Sequence, residues 1–187
     1  KVYYINREKS MYLAIIGEEN IENGVNIIGA HGDSPRLDLK PNPLYEDSEF
    51  AYFKTHYYGG IKKYQWTAIP LAIHGVIVKT NGERIDVNIG EHEQDPIFTI
   101  TDLLPHLARE EMQKKASEFI DAENLSVIVG GAKDKSVDKE SVKANILKIL
   151  NKKYGICEID FARSDIRFVP NFKANYIGFD KALIAGY

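Results

Sequence analysis

Runs of apolar residues divide the first third of the chain into predicted strands. Residues 2–5 and 11–16 are rich in β-branched and aromatic side chains, and the polar residues 6–10 between them predict a β-hairpin. Residues 25–30 (VNIIGA) are apolar at nearly every position. Such a run is typical of a central strand of an α/β sheet that is buried on both faces. The prolines of residues 34–49 predict an irregular segment before an aromatic strand at 50–58.

The remainder of the chain alternates strand-like and helix-like patterns. Asn81-Gly82, flanked by the apolar residues 67–78 and 83–89, predicts a hairpin with a tight turn. Apolar residues recur at helical spacing in residues 102–122, after a capping Thr101, and in residues 141–154, before Gly155. Further predicted strands cover residues 125–129, 156–161 and 165–169.

The mixture of strands and helices places the chain in the α/β class, and its distribution suggests two domains. Residues 1–69 are mainly strands and loops, whereas residues 70–170 form a self-contained alternation of strands and helices. Residues 171–187 then return to short strand-like sequence. The simplest arrangement is a second domain, residues 70–170, inserted into a first domain made of residues 1–69 and 171–187.

Composition excludes several classes of partner. The net charge of −3, with interspersed signs and a pI near 6.0, favours neither a nucleic acid nor a membrane as partner. The single cysteine, Cys157, excludes an intramolecular disulfide framework, suits a reducing cytoplasm, and is expected to be a buried structural thiol. No run approaches the ~20 apolar residues of a membrane helix, so we expect a cytoplasmic protein. The start at Lys1 and the end at Tyr187 lead us to expect an excerpt of a longer protein.

His31-Gly32-Asp33, directly after the apolar run 25–30, is the clearest candidate for chemistry. A neutral imidazole is a good zinc ligand when a hydrogen-bond acceptor fixes its second ring nitrogen. Asp33, two residues after His31, is placed to be that acceptor. A Ser-His-Asp triad of Ser34 with these two residues is implausible, because neighbours on an extended chain point to opposite sides.

A catalytic zinc site takes about three protein ligands, so one histidine is not enough. The other histidines are His56, His74, His92 and His106, and no two lie at the i, i+4 spacing that shares a helix face. We expect His74 to be a satisfied strand residue and His92 to be solvated. Two possibilities stay open: that His56 faces the same cleft as His31, and that His106 contributes to a site.

Residues 28–37 (IGAHGDSPRL), with Lys40-Pro41 and Tyr58-Gly59-Gly60, closely resemble the zinc aminopeptidases of family M18, the aspartyl aminopeptidase group. Residues 95–107, 160–171 and 178–184 resemble that family's inserted dimerisation domain and the return to its catalytic domain, so the resemblance covers essentially the whole chain. Residues 62–71 lack a sequence common in eukaryotic members and are similar to a prokaryotic branch. The resemblance implies part of a zinc-peptidase-like α/β catalytic domain with an inserted, mixed strand-helix dimerisation domain.

The resemblance also implies roles for individual residues. His31 matches the ligand of one of two zinc ions, and Asp33 matches the residue that orients it. The family's remaining ligands and its catalytic glutamate are expected beyond Tyr187. The whole protein is then expected to remove N-terminal residues from peptides and to form a homo-oligomer built from dimers, while this chain alone is expected to be inactive. The alternative function is a non-catalytic self-association module; a metallophosphoesterase would need Asn and His clusters that the sequence lacks.

Overall fold

The computed structural model describes residues 1–7 and 10–186 and divides the chain into two compact units, Lys1–Ser34 and Pro35–Tyr187. In the first unit, strands β1 (Val2–Asn6) and β2 (Ser10–Ala14) form an antiparallel hairpin. The Tyr4 and Tyr12 rings face each other across it, with centroids 6.4 Å apart. The predicted hairpin is confirmed, although residues 8 and 9 of its connection lie outside the described residues.

The predicted central strand at residues 25–30 is wrong. A short 3-10 turn, Ile21–Asn23, precedes this segment, which takes no regular structure. The side chains of Ile27 and Ile28 are 87% and 95% exposed. A strand buried on both faces needs a paired strand at each edge and a covering layer on each side. Within the first unit, the described residues form only the two-stranded β1–β2 sheet, so this apolar run has nothing to pair with.

The second unit contains the strands β3 (Arg36–Asp47), β4 (Phe50–Tyr58), β5 (Leu71–Val78), β6 (Arg84–Ile89), β7 (Val127–Gly130) and β8 (Ser164–Pro170). They form one six-stranded antiparallel sheet with the spatial order β6-β5-β8-β3-β4-β7. Isolated bridges from Phe98 to Leu71 and from Thr99 to Ile128 link β5 to β7 and close the curled sheet on itself. Curling leaves fewer open edges and encloses one core.

Strand β3 replaces most of the segment predicted to be irregular. Its pairing with β4 changes register from Leu39 opposite Thr55 to Leu44 opposite Phe53. Four residues of β3, including Pro41 and Pro43, therefore lie opposite a single residue of β4. A bulge of this kind removes the prolines from the hydrogen-bonded ladder, which is how a strand tolerates residues without an amide hydrogen.

Helix α1 (Ser141–Tyr154) begins and ends where the sequence predicts. Gly155 ends it in the left-handed conformation with φ 64°, and its amide donates to the Asn151 carbonyl at 2.8 Å. Val142, at the start of α1, is fully buried, and Ile146 and Leu150 pack against the core as partly buried residues. The core contains the fully buried side chains Leu37, Leu71, Ile77, Leu125, Val127, Val142 and Phe168.

The second predicted helix, residues 102–122, is wrong. The segment forms turns, among them the 3-10 turn Glu111–Gln113. Its apolar side chains lie largely in solvent, since Leu104 and Leu107 are 60% and 63% exposed. Helical spacing predicts a helix only where another element covers the apolar stripe, because packing supplies most of a helix's stability.

Residues 156–161 were predicted to be a strand, but the 3-10 helix Glu158–Arg163 takes their place. The buried carboxylate of Asp160 holds its start by accepting from the Cys157 amide at 2.8 Å. Cys157 itself is exposed, so the expected buried thiol is wrong. Its sulfur accepts instead from the Asn151 side-chain amide at 3.6 Å.

Two further hairpins complete the second unit. The predicted turn at Asn81-Gly82 joins β5 to β6 and is confirmed. Strands β9 (Asn175–Ile177) and β10 (Leu183–Ala185) form a short antiparallel pair near the end of the chain. Strands β3 and β4 pair with β8 and β7, so residues from both sides of position 70 contribute to one sheet. Among the described residues, none of the helices has the length and apolar character needed to cross a bilayer.

Candidate functional site

His31 lies in the irregular segment that ends the first unit, and its imidazole is exposed. The ring nitrogen Nδ1 lies 2.8 Å from the carbonyl oxygen of Asp33 and 3.1 Å from the Asp33 amide nitrogen. The carboxylate oxygen Oδ1 of Asp33 accepts a hydrogen bond from the Ser34 amide at 3.1 Å. The two residues singled out by the sequence are therefore in contact, and the contact is made through the Asp33 backbone.

This geometry has a chemical consequence for the tautomer of His31. A protonated Nδ1 donates to the Asp33 carbonyl, and an unprotonated Nδ1 accepts from the Asp33 amide. Only the first form leaves a lone pair on Nε2. A backbone carbonyl that accepts from Nδ1–H is a common way of orienting a metal-binding imidazole. In this form of His31, the lone pair of Nε2 is available to bind a cation.

Two of the other histidines lie on strands of the second unit. His74, on β5, bonds through Nε2 to the Glu91 carboxylate at 2.9 Å, which confirms it as a satisfied strand residue. His56, on β4, is exposed, pairs with Asp38 of β3, and stacks on Tyr57 with ring centroids 5.3 Å apart. In the part of the chain that the structure describes, neither ring belongs to a cluster of three or more potential metal ligands.

His92 and His106 are exposed in loops. The backbone amide of His92 donates to Asp95, whose pKa lies below its ordinary value because the Gly90 amide, first, and then His92 bind its carboxylate. His106 follows Pro105 in the turns that replace the predicted helix. Over residues 1–7 and 10–186, no group of three or more His, Cys, Asp or Glu side chains is arranged to hold a metal ion.

The second unit also contains a cleft that the sequence did not predict. It encloses about 420 Å³ and carries three carboxylates, those of Asp102, Glu111 and Glu123. Thr67 donates to Asp102 at 3.0 Å, and Lys40 donates to Glu123 at 2.7 Å, which lowers the pKa of Glu123. No spacing rule joins these positions, because turns and not a helix bring them to one cleft.

The family model described as "Aminopeptidase I zinc metalloprotease (M18)" matches residues 1–187, the whole chain. The chain belongs to the M18 peptidase family. The predicted family and the mixed α/β class are thereby confirmed, and the motif around His31 is the feature of the sequence that identified the family.

Similar M18 proteins extend well beyond this chain. A probable M18 family aminopeptidase 1 from Clostridium acetobutylicum is 52% identical over all of this chain and 40% of its own length. The crystal structure of an M18 aminopeptidase from Thermotoga maritima matches with a TM-score of 0.85 and 49% identity, over 97% of this chain and 40% of that one. This M18 chain therefore spans about 40% of the relatives it matches.

A more distant neighbour shares the fold alone. The mApe1 dodecamer of Saccharomyces cerevisiae matches over 82% of this chain with a TM-score of 0.50 and 19% identity. At that identity the match extends the M18 fold to a eukaryotic protein without assigning any residue of this chain a role.

Proposed function

We propose that the protein containing this M18 chain is a zinc-dependent aminopeptidase that removes N-terminal residues from peptides. The observation that carries the proposal is the match of the M18 zinc metalloprotease model to every residue of the chain. The relatives named aminopeptidases support the type of reaction. The protein is proposed to act in the cytoplasm and to use two zinc ions at each active site.

His31 is the residue of this chain proposed to bind zinc, through Nε2. Asp33 is proposed to position it by holding Nδ1, in keeping with the 2.8 Å contact to the Asp33 carbonyl. Zinc, when bound, supplies a Lewis acid for a peptide carbonyl and makes a bound water more acidic. A catalytic zinc site needs about three protein ligands, and the described residues hold no such group, so the chain is proposed to supply part of a site and to be inactive alone.

Activity of the complete gene product tests this proposal. With a panel of aminoacyl-p-nitroanilides, we expect hydrolysis that is lost on chelation and restored by zinc. His31→Ala should lower kcat/KM by about a hundredfold or more and reduce the bound zinc measured by elemental analysis. Asp33→Asn keeps the backbone carbonyl that holds Nδ1 and should therefore weaken zinc binding less than His31→Ala does.

His92→Ala, in an exposed loop, is the matched control and should keep both zinc and activity. Wild-type activity and zinc content in His31→Ala would overturn the role of His31. An inactive gene product that binds no zinc and cleaves no substrate of the panel would overturn the aminopeptidase itself.

The second candidate function is self-association of the strand-helix region, proposed for residues 70–170. The observation that favours it is the exposed apolar segment of the second unit, in which Leu103, Leu104, Leu107 and Met112 are 51–63% exposed. An exposed apolar cluster is typical of a protein interface. We also propose that the same protein binds peptide substrates and that it forms a homo-oligomer built from dimers.

Sedimentation measurements on the 187-residue chain test self-association. We expect dimers at high micromolar concentration, and Leu104→Lys with Leu107→Lys should yield monomers. Ile149→Lys, which charges a similarly exposed apolar residue of α1, is the control and should leave dimers intact. A wild-type chain that stays monomeric would contradict this assignment.

A further inference from the structure

A second cleft of the Pro35–Tyr187 unit combines lysines with tyrosine rings. It encloses about 300 Å³, and one wall is formed by Tyr57 and by residues 61–64 (IKKY). A second wall segment is Ala116-Ser117, which follows Lys114-Lys115 in the chain. The cleft thus offers a concave, partly apolar surface lined by two lysines, Lys62 and Lys63, and Lys114-Lys115 lies next to its lining in the chain.

Buried anchors hold the first wall in place. Residues Lys63–Gln65 form a 3-10 turn, which is followed by Trp66, only 2% exposed. Thr67, 8% exposed, donates to the Tyr64 carbonyl at 3.1 Å. Ile61 packs against the core. A wall fixed in this way loses little conformational entropy when a ligand binds.

The second wall is anchored in the same manner. The amide of Glu118 donates to the Lys115 carbonyl at 2.8 Å, and Ile120, two residues later, is 8% exposed. Glu118 is the carboxylate nearest in sequence on this wall, and its side chain is exposed. Four lysines therefore outnumber one carboxylate across the two wall segments, although the whole chain has a net charge of −3.

The lysines of this cleft have no ion-pair partner in the described part of the chain. The ion pairs of the second unit are made by other lysines, such as Lys40, Lys79 and Lys133. Lys63 is half-buried and lines the cleft together with the exposed Lys62. A bound anion would supply the counter-charge that Lys62 and Lys63 lack among the described residues.

We propose that this cleft binds a small molecule carrying a multivalent oxyanion, with Lys62 and Lys63 as the charged donors. The Tyr57 and Tyr64 rings and Ile61 would cover an apolar part of the ligand. Phosphate monoesters and polycarboxylates share this chemistry, since ammonium groups act as point charges toward either kind of oxygen. The site goes beyond the proposed peptidase activity and does not depend on it.

Calorimetric titration of the 187-residue chain tests the proposal, at constant ionic strength set with sodium chloride. The probes are inorganic phosphate, phenyl phosphate and citrate. We expect saturable binding of at least one probe, with Kd of about 1 mM or tighter. Tighter binding of phenyl phosphate than of phosphate assigns an organic phosphate, equal binding assigns free phosphate, and preference for citrate assigns a polycarboxylate.

Paired variants locate the site. Lys62→Gln with Lys63→Gln should weaken binding by about tenfold or more, as expected for loss of charge-assisted hydrogen bonds. Lys135→Gln with Lys152→Gln makes the same change of charge at two exposed lysines outside the cleft and should leave Kd within about twofold. If the first pair fails to fold, Lys114→Gln with Lys115→Gln serves in its place. The proposal is overturned if no probe binds, or if both pairs of variants bind alike.

Discussion

The carboxylate of Glu46, on strand β3, accepts hydrogen bonds from the amides of Val142 and Lys143 at the start of helix α1, at 2.9 and 3.0 Å. The helix's own preceding residue, Glu140, has left-handed backbone angles and makes no side-chain cap. A residue 96 positions earlier therefore satisfies amides that a local Ser, Thr, Asp or Asn would usually bind. The negative charge also lies at the positive end of the helix dipole.

Loss of this cap should destabilise the second unit. Glu46→Ala is expected to lower the free energy of unfolding by about 1–2 kcal/mol, because two partly buried amides lose their acceptor. Glu46→Gln keeps an acceptor oxygen and should cost less. Urea denaturation measures both, with Asp47→Ala, an exposed neighbour on β3, as the control. Equal stability of Glu46→Ala and Asp47→Ala would show that the cap contributes nothing.

Gly75 lies opposite Ile166 where β5 pairs with β8, and the close approach of the two strands requires a glycine there. Its φ is 146°, and a Cβ built there would lie 2.0 Å from the Asp165 carbonyl oxygen and 2.8 Å from the Ile166 Cα. Gly75→Ala should therefore cost about 3 kcal/mol or more, since two backbone strands would have to separate.

Thermal and urea unfolding measure the effect of Gly75→Ala. The control is Gly60→Ala, because none of the described atoms lies within 4 Å of a Cβ at Gly60. It is expected to change stability by about 0.5 kcal/mol or less. Similar stabilities for the two variants would contradict the close approach of β5 and β8.

Asp134 links the loop before α1 to the helix itself. The Ser136 hydroxyl and amide donate to one carboxylate oxygen at 2.6 and 2.9 Å, and Lys148 donates to the other at 2.9 Å. These contacts, Ser136 first, hold the pKa of Asp134 far below its ordinary value of 3.8.

A depressed pKa means that the ionised carboxylate stabilises the fold above the unfolded pKa and that this stability is lost as the pH falls through the folded pKa. Asp134→Asn should therefore be less stable than wild type near pH 7, and the difference should shrink as the pH falls below about 4. Urea unfolding across pH measures it, with Asp138→Asn in the same loop as the control for charge. A difference that stays constant down to the lowest pH would contradict the assignment.

Zinc titration of the 187-residue chain should reveal no stoichiometric site with submicromolar affinity. One exposed imidazole cannot replace the three or four ligands of a typical zinc site, and the described residues show no cluster to complete it. Calorimetry with wild type and His31→Ala measures this directly. A tight site lost in His31→Ala would mean that the chain completes a metal centre by itself.

Local patterns in the sequence were enough for features that depend on the backbone preferences of a few adjacent residues. The Asn81-Gly82 turn and the helix 141–154 with Gly155 depend on backbone preferences of a few adjacent residues. The motif around His31 identified the M18 family, because it needs only ten residues in the right order.

Tertiary structure decided the features that depend on distant partners. The apolar residues 25–30 and the helical spacing of residues 102–122 carry good local signals. Neither forms the predicted element, because no described element of the chain covers most of their apolar side chains. Conversely, the prolines of β3 were accommodated by a bulge, and Glu46 became the cap of α1, through residues far away in the chain. Hydrophobic burial and hydrogen bonding act between whichever groups the fold brings together, so the sequence determined the turns, the helix and the family, while the sheet, the cap and the clefts followed from contacts between distant segments.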